Sequence, residues 1–120
     1  MEFFIHKGST LPILKMQIVK DGRTNYSGIT HFIETSNITF SMIDTVSGIP
    51  KIVSNAAGFV SKTFIDPIFT PEYYIYYKFS AKDTNKVGRY EGQFLLKNDA
   101  GDLIVPIREQ LFINVIDIHH

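Results

Sequence analysis

Residues able to do chemistry are few in this chain, and their spacing builds nothing catalytic. The four histidines stand at His6, His31, His119 and His120. None falls into the HxH or HExxH spacing that would aim two imidazoles at one metal ion. They read instead as packed or solvated side chains. Asp99 and Asp102 flank Ala100-Gly101, but without the alternating ligands and closing Glu of a calcium loop, so the stretch reads as a hairpin turn. The other carboxylates are scattered singly and form no pair for glycoside hydrolysis. There is no glycine-rich phosphate loop and no nucleophile elbow. Cys is absent, which excludes disulfides, thiolate zinc sites and a cysteine nucleophile together. Asn25-Tyr26-Ser27 and Asn37-Ile38-Thr39 fit the glycosylation sequon; with no secretory signal in view, both read as chance. The expectation is a protein that is not an enzyme, with no catalytic residue, cofactor or metal and no small-molecule ligand.

Two tyrosine pairs, Tyr73-Tyr74 and Tyr76-Tyr77, leave one binding question open. Tyr74 and Tyr76 on an outer face would suit the stacking of sugar rings. They would equally pack beneath the apolar segment that precedes them or line a subunit interface, where aromatic residues are common. The second reading is preferred, since sugar sites bring hydrogen-bonding side chains close by and none can be placed here.

The elements that carry these residues alternate with period two, the mark of half-buried strands. In the stretch Tyr73 to Leu96, Ile75, Tyr77 and Phe79 share one face and Tyr74, Tyr76 and Lys78 the other. After a polar connection ending at Gly88, Tyr90, Phe94 and Leu96 point one way and Glu91, Gln93 and Lys97 the other. The same pattern predicts strands over Phe3–His6, Thr10–Lys20, Asn37–Met42, Ile49–Ser54, Leu103–Pro106 and Leu111–Ile118. Turns are expected at Asp21-Gly22, Asp44–Gly48, Asn55–Gly58 and Asn98–Asp102. Residues Arg23 to Ser36 are less regular, with His31 to Ile33 either a short strand or a packed loop. Phe59 to Glu72 holds Phe64, Ile65, Ile68 and Phe69 and is broken by Pro67 and Pro71, which rules out a central strand or continuous helix across it. It is either an apolar loop over a sheet or a contact for a partner. With Tyr74 and Tyr76, those four residues form the candidate protein–protein surface.

Seven to nine short strands with turn signals every 8–12 residues predict one all-β antiparallel sandwich over residues 1–120. The chain is long enough to bury a core without disulfide or metal support. Phe and Tyr are plentiful and Trp is absent, a composition suited to pleated surfaces. Twelve basic residues balance twelve acidic ones with no basic cluster, against nucleic-acid binding. No apolar run approaches the ~20 residues of a membrane span, and the N-terminus lacks the pattern of a signal peptide.

Asp83-Thr84-Asn85-Lys86-Val87-Gly88-Arg89-Tyr90 resembles a lengthened D-x-G-x-Y corner of immunoglobulin-like domains, in which the Tyr hydroxyl bonds back to the backbone. By that resemblance Asp83, Thr84, Gly88 and Tyr90 form a structural corner, and Gly92 stands where antibody domains carry a Cys. A wider resemblance covers most of the chain. Lys7-Gly8-Ser9-Thr10-Leu11-Pro12, Asp21-Gly22, Gly28, Phe40-Ser41-Met42, Tyr77, Asp83-Thr84, Gly88, Tyr90, Phe94, Gly101, Pro106 and Ile113-Asn114-Val115 occur in an order similar to the N-terminal immunoglobulin-like domain of tailed-phage baseplate upper proteins and related small virion proteins. Ser9 replaces that family's usual acidic residue, and the segment Phe59–Glu72 is longer than its link there. The resemblance implies an immunoglobulin-like sandwich with a role in virion assembly, made in the cytoplasm of the bacterial host. Its partners would be other virion proteins and copies of itself, in a ring or other symmetric assembly.

Overall fold

The computed structural model describes residues 1–17, 33–62, 72–106 and 109–117. In them the alternating segments become β1 (Glu2–His6), β2 (Leu14–Gln17), β3 (Asn37–Asp44), β4 (Pro50–Ala56), β5 (Gly58–Lys62), β6 (Glu72–Tyr77), β7 (Gly88–Asn98), β8 (Gly101–Val105) and β9 (Leu111–Ile116). They form two sheets, one ordered β1-β9-β7-β3-β4 with β8 also against β7, the other β2-β6-β5. In this order β2, β6 and β5 stand where strands B, E and D stand in an immunoglobulin sandwich of the variable type; β3, β7 and β9, with β4 outside β3, stand where C, F, G and C′ do. All pairs are antiparallel except β1 with β9, which run parallel.

The long strand β7 is the axis of the larger sheet. Tyr90 to Lys97 of it pair with the whole of β3, from Asp44 opposite Tyr90 to Asn37 opposite Lys97. Its other edge is shared: β9 lies beside Gly88–Gly92 and β8 beside Phe94–Asn98. The inward residues are those the alternation selects, with Ile38, Phe40 and Met42 from β3, Tyr90, Phe94 and Leu96 from β7, and Leu111, Ile113 and Val115 from β9. Against them the smaller sheet brings Leu14, Met16, Ile75 and Tyr77. Burying side chains of this size contributes roughly 1.5–3 kcal/mol each, and the interleaved apolar faces of the two sheets form the core.

Phe40 sits at the centre of an aromatic cluster. Its ring stacks on Tyr77 at 4.7 Å, tilts against Phe94 at 4.9 Å and meets Phe79 edge-on at 5.9 Å. Gly92 makes that packing fit: a Cβ there would lie 2.6 Å from Ile113 Cδ1 and 2.8 Å from Phe40 Cζ. Where an antibody domain places a cysteine, this core therefore places a void-filling ring.

Several expected boundaries move. The strand expected over Thr10–Lys20 begins at Leu14, and the last strand stops at Ile116. Ile33 is buried in a helical turn over 33–35. The expected turn at Asn55–Gly58 is a correction. Asn55 and Ala56 continue β4, Ala57 donates its N–H to Ile38 O at 2.9 Å, and Gly58 opens β5 in the other sheet. The small residues mark a strand crossing between sheets, and Gly58 leaves room for the Tyr76 ring, which a Cβ there would approach to 2.7 Å. Likewise the first part of Phe59–Glu72 is no loop: β5 pairs antiparallel with β6, Phe59 opposite Ile75 and Val60 opposite Tyr74. Asp21-Gly22, His31, Ile118, His119, His120 and residues 63–71 of that segment lie outside the described residues.

Candidate functional site

The polar groups that the fold brings together lie at the corner between β6 and β7. Tyr77 ends β6 with its hydroxyl turned inward, where it donates to Asp83 Oδ2 at 2.7 Å. The same carboxylate oxygen accepts the N–H of Ser80 at 2.8 Å. Asn55 reaches across from β4 and donates its Nδ2–H to the Tyr77 hydroxyl at 3.0 Å. Asp83 is only 8% exposed, so these donors replace the water its charge has given up. Burial pushes the Tyr77 hydroxyl up to about 12, with the Asp83 carboxylate adding to the rise and the Asn55 amide opposing it. Tyr77 is held as a protonated donor, and its arrangement offers no base or nucleophile at neutral pH.

Thr84, fully buried, ties the corner to the loop after β1. Its hydroxyl donates to Ser9 O at 2.8 Å, and its own carbonyl accepts the N–H of Gly8 at 2.8 Å. Gly8 has φ +76°, a left-handed conformation that glycine adopts without cost. Two stretches 75 residues apart in sequence, Lys7-Gly8-Ser9 and Asp83-Thr84, are therefore one hydrogen-bonded unit.

Tyr90 closes the corner. Its ring is buried and its hydroxyl donates to Lys86 O at 2.9 Å. Burial, and to a lesser extent the charge of Asp44, pushes its pKa above the ordinary tyrosine value. Gly88 lies beside the ring, and a Cβ there would sit at 3.5 Å, an ordinary contact distance. The tighter glycine of this region is Gly92, two residues past the tyrosine, where a Cβ would fall 2.6 Å from Ile113 Cδ1.

The tyrosines singled out for contact lie on the outer face of the smaller sheet. Tyr76 is 37% exposed and half covers Gly58. Tyr74 is less exposed, and the Lys15 ammonium from β2 stands 4.7 Å from its ring centroid. One side of Tyr76 is engaged with its neighbouring strand and a cation sits over Tyr74, as in cross-strand pairs that stabilise a sheet. Phe64, Ile65, Ile68 and Phe69 lie outside the described residues. Phe112 and Ile116, also outward, are half-buried on the larger sheet, where the Arg89 guanidinium packs 3.9 Å from the Phe112 ring centroid and pairs with Glu2 at 2.8 Å.

Among the described residues no group of three or more His, Asp or Glu is placed to hold a metal ion, and no helix is long and apolar enough to cross a membrane. Asn55 is the site residue that sequence reading missed. It looked like turn punctuation, and no local signal reveals that strand β4 carries it to Tyr77. Compared with family models, curated proteins and solved structures, the chain matches none of them.

Proposed function

We propose that this chain is a non-enzymatic structural component of a tailed-phage virion, in the tail, baseplate, neck or capsid surface, where it acts in assembly by docking other virion proteins. One observation carries the reading. Two motifs of the resemblance, Lys7–Pro12 and Asp83-Thr84, meet in space through Gly8, Ser9 and Thr84. The bonds of Gly8, Ser9 and Thr84 join the two motifs to one another, which supports reading the motif order as that of a scaffold. The sandwich topology, with the Tyr90–Lys86 bond at the start of β7, is the kind of rigid module that presents loops and sheet faces to partners.

The test is the copy number of the chain in purified virions, by quantitative mass spectrometry. A fixed stoichiometry in intact particles, with particles lacking a tail or surface part when the gene is deleted, is the expected result. Absence from particles of a phage that expresses the chain ends the proposal. Glycan-array binding that is lost in a Tyr74→Ala, Tyr76→Ala variant would instead make the outer face of the smaller sheet a carbohydrate site.

A further inference from the structure

Strand β1 borders the larger sheet, and alternate residues of it turn their backbone hydrogen-bonding groups outward. Its parallel pairing with β9 is regular throughout, from Glu2 opposite Phe112 to His6 opposite Ile116. The bonds that frame this ladder fix its direction. Phe112 donates its N–H to Met1 O at 2.9 Å, and Lys7 donates its N–H to Ile116 O at 2.8 Å. A strand in such a ladder bonds to its neighbour through every second residue. Phe3 and Ile5, which stand between Met1 and Lys7, therefore direct their N–H and C=O groups at β9, and Glu2, Phe4 and His6 turn theirs away. His6 O accepts the N–H of Ser9 at 3.0 Å. The N–H groups of Glu2, Phe4 and His6 and the carbonyls of Glu2 and Phe4 have no partner among the described residues.

A bare edge of this kind is a template for another strand, and proteins ordinarily blunt it. The opposite border of the sheet shows how. β4 opens with Pro50, holds Ser54 at φ +51° and shifts register twice against β3. Nothing comparable guards β1. It contains no Pro, Gly or Lys, and the charge of Glu2 is turned onto the outer face of the sheet. There its carboxylate accepts from Arg89 at 2.8 Å and from Asn114 at 3.0 Å. Phe4, on the same face as Glu2, is 56% exposed. The stretch that leads from this edge to β2 adds Leu11 at 62% and Ile13 at 44% exposure.

We infer that β1 receives an extended segment of a partner protein, which adds to the larger sheet as a further strand beside it. The recognising groups are backbone N–H and C=O two residues apart, a pattern that an extended polypeptide matches and a sugar, nucleotide or lipid does not. An apolar side chain of the incoming strand, opposite Phe4 on the same face, covers its exposed ring. The edge measures roughly 17 Å at the usual strand rise, a length that suits one short segment. Two rigid sandwiches meeting along so short a line have little else to bury toward the ~800 Å² per partner of a stable interface. A flexible segment can settle on both the edge and the face. This mode of contact deepens the docking role proposed above and rests on it for its setting, but its test uses the isolated chain alone.

Amide hydrogen exchange followed by NMR tests the edge first. In the free chain the N–H groups of Phe4 and His6 should exchange about tenfold or more faster than those of Phe3 and Ile5. Short peptides selected from a random library on the immobilised chain then serve as the probe. Those recovered should alternate apolar residues, slow exchange at Phe4 and His6 by about tenfold or more, and leave Phe3 and Ile5 unchanged. Phe4→Pro removes one outward N–H and spares the β9 ladder, a substitution that edge strands tolerate. It should weaken peptide binding about tenfold or more, and Phe4→Thr, which keeps the N–H, should weaken it less. If Phe4→Pro melts far below wild type, exchange in the unaltered chain decides alone. Amides of Phe4 and His6 already protected in the free chain, selected peptides that leave them exchanging freely, no peptide recovered, or full binding by folded Phe4→Pro each overturn the inference. A wild-type dimer in sedimentation that Phe4→Pro abolishes would also overturn it, since a second copy would then hold the edge. Peptide binding at β1 by a chain absent from virions would keep the edge site and end the structural role; a chain present in virions whose edge binds no peptide would do the reverse.

Discussion

Tyr77→Phe isolates the buried network at the corner. The substitution keeps the ring, and with it the 4.7 Å stack on Phe40 and the edge contact with Phe79. It removes only the hydroxyl that donates to Asp83 and accepts from Asn55. Asp83, 8% exposed, is left with the single N–H of Ser80. A hydrogen bond to a charged group is worth about 1.5–3 kcal/mol, and stranding one partner exposes its desolvation cost. The expected loss at pH 7 is therefore about 2 kcal/mol, which for a urea slope of roughly 1–3 kcal/mol per M lowers the midpoint by about 1 M. The pH profile tests the cause. Because the folded pKa of Tyr77, about 12, lies above the free value of 10.0, its stabilisation is complete below pH 10 and is lost as pH rises through about 12. The gap between wild type and Tyr77→Phe should hold from pH 7 to about 9.5, then close by up to about 1.4 kcal/mol per pH unit. Urea titrations read by circular dichroism at each pH measure it. A gap under about 0.5 kcal/mol at pH 7, or one that is flat to pH 11.5, would refute the view that this hydroxyl satisfies Asp83.

Two further substitutions probe the same region. Tyr90→Phe, which deletes the bond to Lys86 O, should cost about 0.5–1.5 kcal/mol; an unchanged midpoint would mean that ring packing alone holds the corner. Gly92→Ala places a methyl 2.6 Å from Ile113 and 2.8 Å from Phe40 and should cost about 1–3 kcal/mol through overpacking, whereas Gly88→Ala, with ordinary clearance to Tyr90, should change stability by less than about 0.5 kcal/mol. Equal losses at the two glycines, measured by thermal unfolding, would contradict the packing argument.

Side-chain alternation was enough to tell which residues of β3, β7 and β9 face the core, because a strand's period is fixed by its backbone whatever it pairs with. Turns were legible wherever local chemistry makes them, as at Asp44–Gly48, where the Asp44 side chain caps the turn and Gly48 takes φ +72°, and at Asn98–Gly101. The Tyr90 bond is local too, since its hydroxyl reaches back only four positions to Lys86 O. What local signals could not carry is partnership across distance. Asn55 and Gly58 look like punctuation until strand pairing sets one against Tyr77 and the other under Tyr76. Gly92 reads as a missing cysteine until Phe40 arrives from β3 to fill the space.

By itself, then, the sequence determined the class of fold and the inward faces, both of them consequences of neighbours along the chain. Only the tertiary structure decided that β4 crosses between sheets into β5, that the motif around Gly8 locks onto Thr84, and that Asn55 reaches the Tyr77 hydroxyl. Strand order and loop clustering set those relations, and both arise from burying apolar faces against segments far away in sequence.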